Sequence, residues 1–252
     1  MAAKRPLILI DLDDTLFQTA RKMPDAAVRY PASYDVNGGV SGYQTQVQKD
    51  FIEWLLPIAD VVPVTARSAE AFGRVRLDFT GVAICSHGGL ILNADRSVNQ
   101  TWHSIMGETL ASYQTRLPAL CDAALDIGAR HGLSLRGWVV EEADQRHYVV
   151  VKHNDGKDAD LNFVREQLAA AGLLEGLHTH GNGNNLALLP HGLSKRAAVE
   201  HYLALDVEQH GVRPVLGFGD SITDLGFMSL CHFWSTPARS QLAAVVEEAH
   251  RA

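Results

Sequence analysis

The stretch Pro6–Phe17, PLILIDLDDTLF, sets Leu7, Ile8, Leu9 and Ile10 directly before three aspartates, Asp11, Asp13 and Asp14. An unbroken run of four apolar residues predicts a strand buried on both faces, the habit of strands in a parallel sheet. The exit of that strand is crowded with like charges, which repel one another unless a counter-charge is held nearby.

Working outward, two further runs have the same character, Val61–Val64 and Pro214–Phe218, and Val82–Cys85 reads as another strand. Helical patterns separate them. Tyr43–Leu56 places Val47, Phe51, Trp54 and Leu55 on one face, and Lys195–Leu205 forms a second helix. Strands alternating with helices predict an α/β fold built on a doubly wound, mainly parallel sheet, in which sites gather at the carboxyl ends of strands. Asp11, Thr65 and Asp220 stand at three such ends.

The middle of the chain reads differently. A helical region spans His103–Gly132, with Pro118 as a break. Alternating segments Leu133–Val140 and His147–His153 follow, joined by the turn EEADQR. Then come an amphipathic helix, Asp158–Ala171, and a second hairpin made of LHTH, GNGNN and LALLP. The order α-β-β-α-β-β predicts an inserted α+β module over 103–189, with 1–102 and 190–252 forming the core domain.

A chain of 252 residues, 46% hydrophobic and 20% charged, is long enough for such a core plus insertion. Its net charge of −7, from 22 basic and 29 acidic residues, argues against a nucleic-acid partner. Cys85, Cys121 and Cys231 are few, odd in number and far apart, as in a reducing compartment. The apolar run after Lys4 and Arg5 stops at Asp11, too short for a signal-peptide core or a membrane span. The expected location is cytoplasmic, with no membrane partner. No pattern indicates an oligomeric state.

Asp11 and Asp13 lie two apart on chain leaving a strand and so point to one side. Asp13, Asp14 or Thr15 could cap a following helix, but capping does not explain Asp11 at the strand end. Thr65, in VVPVTARS, is by itself an ordinary turn residue. Ser194 reads as a helix N-cap, which puts Lys195 in the first turn, where its charge opposes the helix dipole by ~0.3–1 kcal/mol. A solvated lysine tolerates that penalty, while an anion waiting at the helix end turns it to use. In GFGDSITDLGFM, Asp220 and Asp224 are four apart beyond a buried strand. They are either hard oxygen ligands suited to Mg²⁺ or the capped start of a helix, with Asp220 or Ser221 as the cap.

DLDDT, VTAR, SK and GDSITD, in that order, resemble the four motifs of the haloacid dehalogenase superfamily of aspartate-nucleophile phosphotransferases. The insertion between the second and third motifs resembles the large cap of its sugar-phosphatase branch. The chain departs from that pattern at Ala66, at Asp14 where the branch usually has Gly, in ITD, and in SHGG. The resemblance implies that Asp11 is the nucleophile and Asp13 the general acid and base. It also implies that Asp11, Asp13 (through its carbonyl), Asp220 and Asp224 hold Mg²⁺, and that Thr65 and Lys195 hold phosphoryl oxygens.

The expected function is a Mg²⁺-dependent phosphatase acting on a small phosphorylated sugar or related metabolite through an aspartyl-phosphate. The alternatives are a phosphomutase on the same fold and a non-catalytic regulator. Substrate contacts are expected from Arg67, His87, Gly88, Lys152, Asn182, Asn184 and Asn185. Trp138 packs in a hairpin or stacks on a sugar. His178 and His180 share a strand face and could ligate a metal, but with no Cys or acid at matching spacing they read as ordinary polar residues of the module.

Overall fold

A computed structural model describes residues 4–181 and 183–251. The chain divides into two compact units, Met1–Trp102 with Ser194–Ala252, and His103–Leu193. The first unit begins with β1 (Leu7–Ile10), the hairpin β2 (Tyr30–Tyr34) and β3 (Val40–Gln44), and α1 (Gln46–Ile58). It continues through β4 (Asp60–Pro63), the single turn α2 (Ala69–Phe72), β5 (Ala83–Cys85) and β6 (Leu90–Leu92). Helix α3 (Gln100–Leu110) leads into the second unit, which holds α4 (Arg116–Arg130), β7 (Leu135–Glu142), β8 (Gln145–His153), α5 (Asp158–Ala170), β9 (Leu177–Gly181) and β10 (Leu186–Pro190). The chain then returns through α6 (Lys195–His210), β11 (Val215–Phe218), α7 (Leu225–Met228), β12 (Phe233–Ser235) and α8 (Gln241–Arg251).

The first unit is the α/β layer that its apolar runs predict. Its parallel sheet has the order β12-β11-β1-β4, and a parallel bridge from Val64 to Ile84 brings β5 alongside. β1 is central and buried on both faces. Leu7, Leu9 and Ile10 are 0% exposed and Ile8 is 2% exposed. Ile8 and Ile10 pack with Ile52 and Leu55 of α1, and strand alternation turns Leu7 and Leu9 to the opposite face. Each such side chain contributes about 1.5–3 kcal/mol by leaving water. From β1 the chain moves to β4 on one side and later to β11 on the other, so the carboxyl end of β1 is the topological switch point.

The second unit is an antiparallel sheet of order β7-β8-β10-β9. Leu117, Leu120 and Ala124 of α4 and Leu161, Val164 and Leu168 of α5 pack on Val149 and Val151 of β8. The helices therefore cover the face of the sheet that carries the odd-numbered residues of β8. No helix among the described residues is long and apolar enough to cross a membrane.

Several local details differ from expectation. Tyr43 belongs to β3, and Thr45 caps α1 in a capping box with Gln48. The buried stripe of α1 runs through Ile52 and Leu55, while Val47 and Trp54 are 77% and 60% exposed. Of the predicted face, Leu55 is buried and Phe51 packs against the core, while the other two positions turn to solvent. The helical break falls at 111–115, before Pro118, which sits in the first turn of α4 where a missing N–H costs nothing. The turn in EEADQR shrinks to Ala143 and Asp144, both at positive φ (48° and 67°), so β7 and β8 extend further than their alternation shows.

Candidate active site

The carboxyl ends of β1 and β11 bring the acids together. Asp11 follows Ile10 directly, and its amide donates to the Phe218 carbonyl at 2.8 Å, which ties the two strand ends side by side. Gly219 and Asp220 leave β11 at once. A Cβ on Gly219 would stand 2.5 Å from the Cβ of Asp224, so the absent side chain is what lets this loop fold back on itself. Ser221 caps the following turn: its Oγ donates to Asp224 Oδ2 at 2.7 Å and its amide donates to the same oxygen at 3.1 Å. The capping alternative thus describes Ser221, while Asp220 is left for the site.

Lys195 enters from the start of α6. Ser194 Oγ accepts from the Ala197 amide at 3.1 Å, which fixes the first turn as the sequence predicts. Gly88 fixes the helix from outside. It has φ +95°, and a Cβ there would lie 2.2 Å from the Ser194 carbonyl oxygen. Its own carbonyl accepts from Trp102 Nε1 at 2.9 Å. Lys195 Nζ then donates to Asp11 Oδ1 at 2.6 Å and to Asp224 Oδ1 at 2.7 Å. Its position opposite the helix dipole is offset by two carboxylates.

Three carboxylates face one ammonium, and the protonation equilibria register the excess. Burial pushes the Asp11 carboxyl well above the usual range, opposed by Lys195 and reinforced by Asp224 and Asp13. Asp220 is pushed up to about 7, first by burial and then by the charges of Asp224 and Asp14. Burial also works against Asp224, yet Lys195 and Ser221 outweigh it and hold this acid below the ordinary range. Lys195 loses solvation by burial but is raised overall by its two partners and stays an ammonium. Asp11, Asp220 and Asp224 each offer an oxygen, all within 4.8 Å of one another. A hard divalent cation of magnesium type fits this all-oxygen donor set and its surplus negative charge.

Around this cluster, Thr65 is fully buried at the end of the β4 segment. Its Oγ1 accepts from the Arg67 amide at 3.1 Å, and its carbonyl accepts from the His87 amide at 3.1 Å. Arg67 grips Asp13 in a bidentate pair, Nε to Oδ2 and Nη2 to Oδ1, both 2.7 Å, and its guanidinium lies 5.0 Å from the Phe17 ring centroid. The sequence assigned Arg67 to substrate; in the structure its fork is taken up by Asp13. The only signal was the short spacing Thr65–Arg67 in VTARS, which carries no information about Asp13. Asp14 has φ +61° and pairs with Lys22. Left-handed geometry of this kind is the one that favours Gly.

The other expected contacts scatter. His87 is half-buried in a turn at φ 56°, and buried Gly88 is spent on packing against α6. Lys152 Nζ lies 5.9 Å from the Trp138 ring centroid on the second unit's sheet. Asn184 is engaged with backbone, donating to the His153 carbonyl at 2.6 Å and accepting from its amide at 2.8 Å. The Asn185 amide donates to the Gly183 carbonyl at 2.8 Å. Asn182 lies outside the described residues.

Comparison with models of protein families gives no match, and neither does comparison with curated protein sequences. Solved structures do match. A Thermoplasma acidophilum protein shares 15% identity at a TM-score of 0.57, over 95% of this chain and 88% of its own. The Synechocystis sucrose-phosphatase in complex with sucrose and phosphate shares 15% identity at 0.53, over 98% of each chain. The C-terminal domain of Candida albicans trehalose-6-phosphate phosphatase shares 14% at 0.57, over 90% of this chain and 73% of that one. At such identities the likeness is one of fold, and it extends over both units of the chain.

Proposed function

We propose that the chain is a phosphoric monoester hydrolase, dependent on Mg²⁺ and acting on a small phosphorylated sugar or related metabolite. The observation that carries this reading is the Lys195 ammonium shared between Asp11 and Asp224, beside Asp220, at the switch point of a parallel sheet. The fold shared with two sugar-phosphate phosphatases supports it.

Asp11, Asp220 and Asp224, with the backbone carbonyl of Asp13, would hold Mg²⁺. When bound, that ion supplies the positive charge that lets a carboxylate approach a phosphate dianion. A carboxylate oxygen of Asp11 attacks phosphorus, and the bond from phosphorus to the leaving oxygen breaks. Asp13 gives its proton to that oxygen, since an alkoxide is a poor leaving group. The Asp11 acyl phosphate is then opened by a water whose proton Asp13 accepts, releasing inorganic phosphate and restoring both carboxyls. Lys195 and the Thr65 hydroxyl hold phosphoryl oxygens, the positioning that dominates phosphoryl-transfer catalysis. Arg67 holds the Asp13 carboxylate beside the site before substrate arrives; that carboxyl takes up a proton from solvent as it turns from the guanidinium to the leaving oxygen.

Substrate selection is assigned to the second unit as a cap, where Lys152 and Trp138 place a cation beside an aromatic face. The three free cysteines fit a reducing compartment, and we place the reaction in the cytoplasm. The test is release of inorganic phosphate from p-nitrophenyl phosphate and a panel of sugar phosphates, with Mg²⁺ and with chelator. Metal-dependent release is expected. Isomerisation of a sugar phosphate without release would replace this reading with a mutase, and inertness across the whole panel would end it.

A further inference from the structure

A cavity of about 480 Å³ lies wholly within the first unit, a volume typical of small-molecule sites. It opens at the amino end of β4, where Asp60 lines it, whereas Thr65 marks the opposite end of the same segment. From α6 it is lined by Tyr202, Leu205 and Asp206. Tyr202 is seven residues beyond Lys195, about 10 Å along the helix axis. This cavity is therefore separate from the acidic cluster and shares no side chain with it.

Four charged groups that neutralise one another line it, Arg213 and Asp206 buried, Arg5 and Asp60 partly exposed. Buried Arg213 donates from Nε to Asp206 Oδ2 at 2.9 Å and from its terminal nitrogens to Asp206 Oδ1 and Asp60 Oδ2. Arg5 Nε donates to Asp60 Oδ1 at 2.8 Å. Two guanidinium groups and two carboxylates sum to zero, so this array has no net charge with which to favour a phosphate or a free carboxylate; His210 also lines the cavity. Yet each carboxylate oxygen keeps a lone pair, and Arg213 Nη2 keeps a proton, all in fixed positions. Tyr202 also lines the cavity, and its hydroxyl makes no hydrogen bond among the described residues. Burial and the nearby Asp206 push its pKa up to about 12, so it remains a neutral donor and acceptor. Leu56, Val62, Ile91 and Leu205 supply apolar wall.

We propose that this cavity binds an uncharged, polyhydroxylated small molecule, a free sugar or polyol. Hydroxyls meet the Arg213–Asp206–Asp60 array and the Tyr202 hydroxyl through charge-assisted bonds at no net charge, and the C–H faces lie on the aliphatic wall. The inference is independent of the catalytic reading.

It is tested by titration calorimetry on the full chain with glucose, sucrose, trehalose and inositol, and with glucose 6-phosphate and inorganic phosphate as anionic probes. A neutral probe is expected to bind. Leu205→Trp, which fills the cavity from a partly exposed helix position, is expected to weaken it at least tenfold. Tyr202→Phe is expected to weaken it about fivefold, as for the loss of one hydrogen bond, and it carries the test should the tryptophan variant fail to fold. Asp11→Asn is expected to bind as wild type does. Absence of binding by every neutral probe overturns the proposal. So does affinity indifferent to both cavity variants, loss of neutral-probe binding in Asp11→Asn, or anionic-probe binding that Tyr202→Phe weakens as much as it weakens the neutral probes.

Discussion

Lys195 is the residue on which the site turns. Its ammonium sits between two carboxylates that would otherwise repel, and Asp220 adds a third negative charge to the same cluster. Removing one of these charges should relieve the metal-free protein while ending the chemistry. Asp11→Asn is expected to lower turnover by about 10³-fold or more, yet to melt at or above the wild-type temperature when metal-free. A fully active variant would refute the covalent route. Arg67→Gln is expected to cost about 10–10²-fold in kcat with KM little changed, since Arg67 positions Asp13; a change confined to KM would return Arg67 to the substrate.

His147 makes a different prediction at this scale. Its ring is fully buried, neither ring nitrogen has a partner, and burial together with His103 lowers its pKa to about 4. In the unfolded chain it titrates near 6.5. Between those values the unfolded state binds more protons, so stability is fully present above pH 6.5 and is lost as pH falls toward 4. The loss is on the order of 3 kcal/mol. Urea unfolding of wild type and His147→Phe at pH 7 and pH 4.5 measures it as the difference between the two proteins, because protonation of Asp11 and Asp220 acts in the opposite direction over this window and is common to both. The same pH dependence in both proteins would count against it.

At the scale of elements, the site depends on how strand ends and helix starts are pinned. β1 and β11 place the acids by backbone pairing, whereas α6 must be seated from outside, and Gly88 does this. Gly88→Ala demands both an unfavourable φ and a displaced Ser194 carbonyl. The start of α6 should shift and carry Lys195 with it. The expected result is a turnover loss of about tenfold or more and a lower melting temperature; a Gly88→Ala protein unchanged in both would show that α6 is seated by other contacts. The sequence marked Gly88 as a contact for substrate because its partner, 106 residues on, left no local trace. The hairpin of β2 and β3, and the short edge strand β12, were equally unread. The stretch of β2 and β3 does carry a strong turn pair, Asn37–Gly38, but no long apolar run beside it, and β12 is a three-residue exposed edge strand seen only through its pairing with β11.

At the scale of the whole molecule, each unit carries a hydrophobic core of its own. The cluster of α4, α5, β8 and β10 lies entirely within His103–Leu193. That segment expressed alone is expected to fold, with helical and strand signals in far-ultraviolet circular dichroism and one cooperative melt. A non-cooperative melt would mean that its core needs the rest of the chain.

The sequence by itself determined the α/β class, the carboxyl-end positions of Asp11, Thr65 and Asp220, the capped start of α6 and the inserted α-β-β-α-β-β order. These follow from local periodicity, burial and capping, which act within a few residues. Only the tertiary structure decided that Lys195 joins Asp11 to Asp224, that Arg67 belongs to Asp13, and that Gly88 and Asn184 are spent on backbone. It alone revealed a neutral, polar cavity at the far end of β4. Such pairings join residues far apart in the chain, and their energies depend on distances and burial that exist only once the sheet has formed.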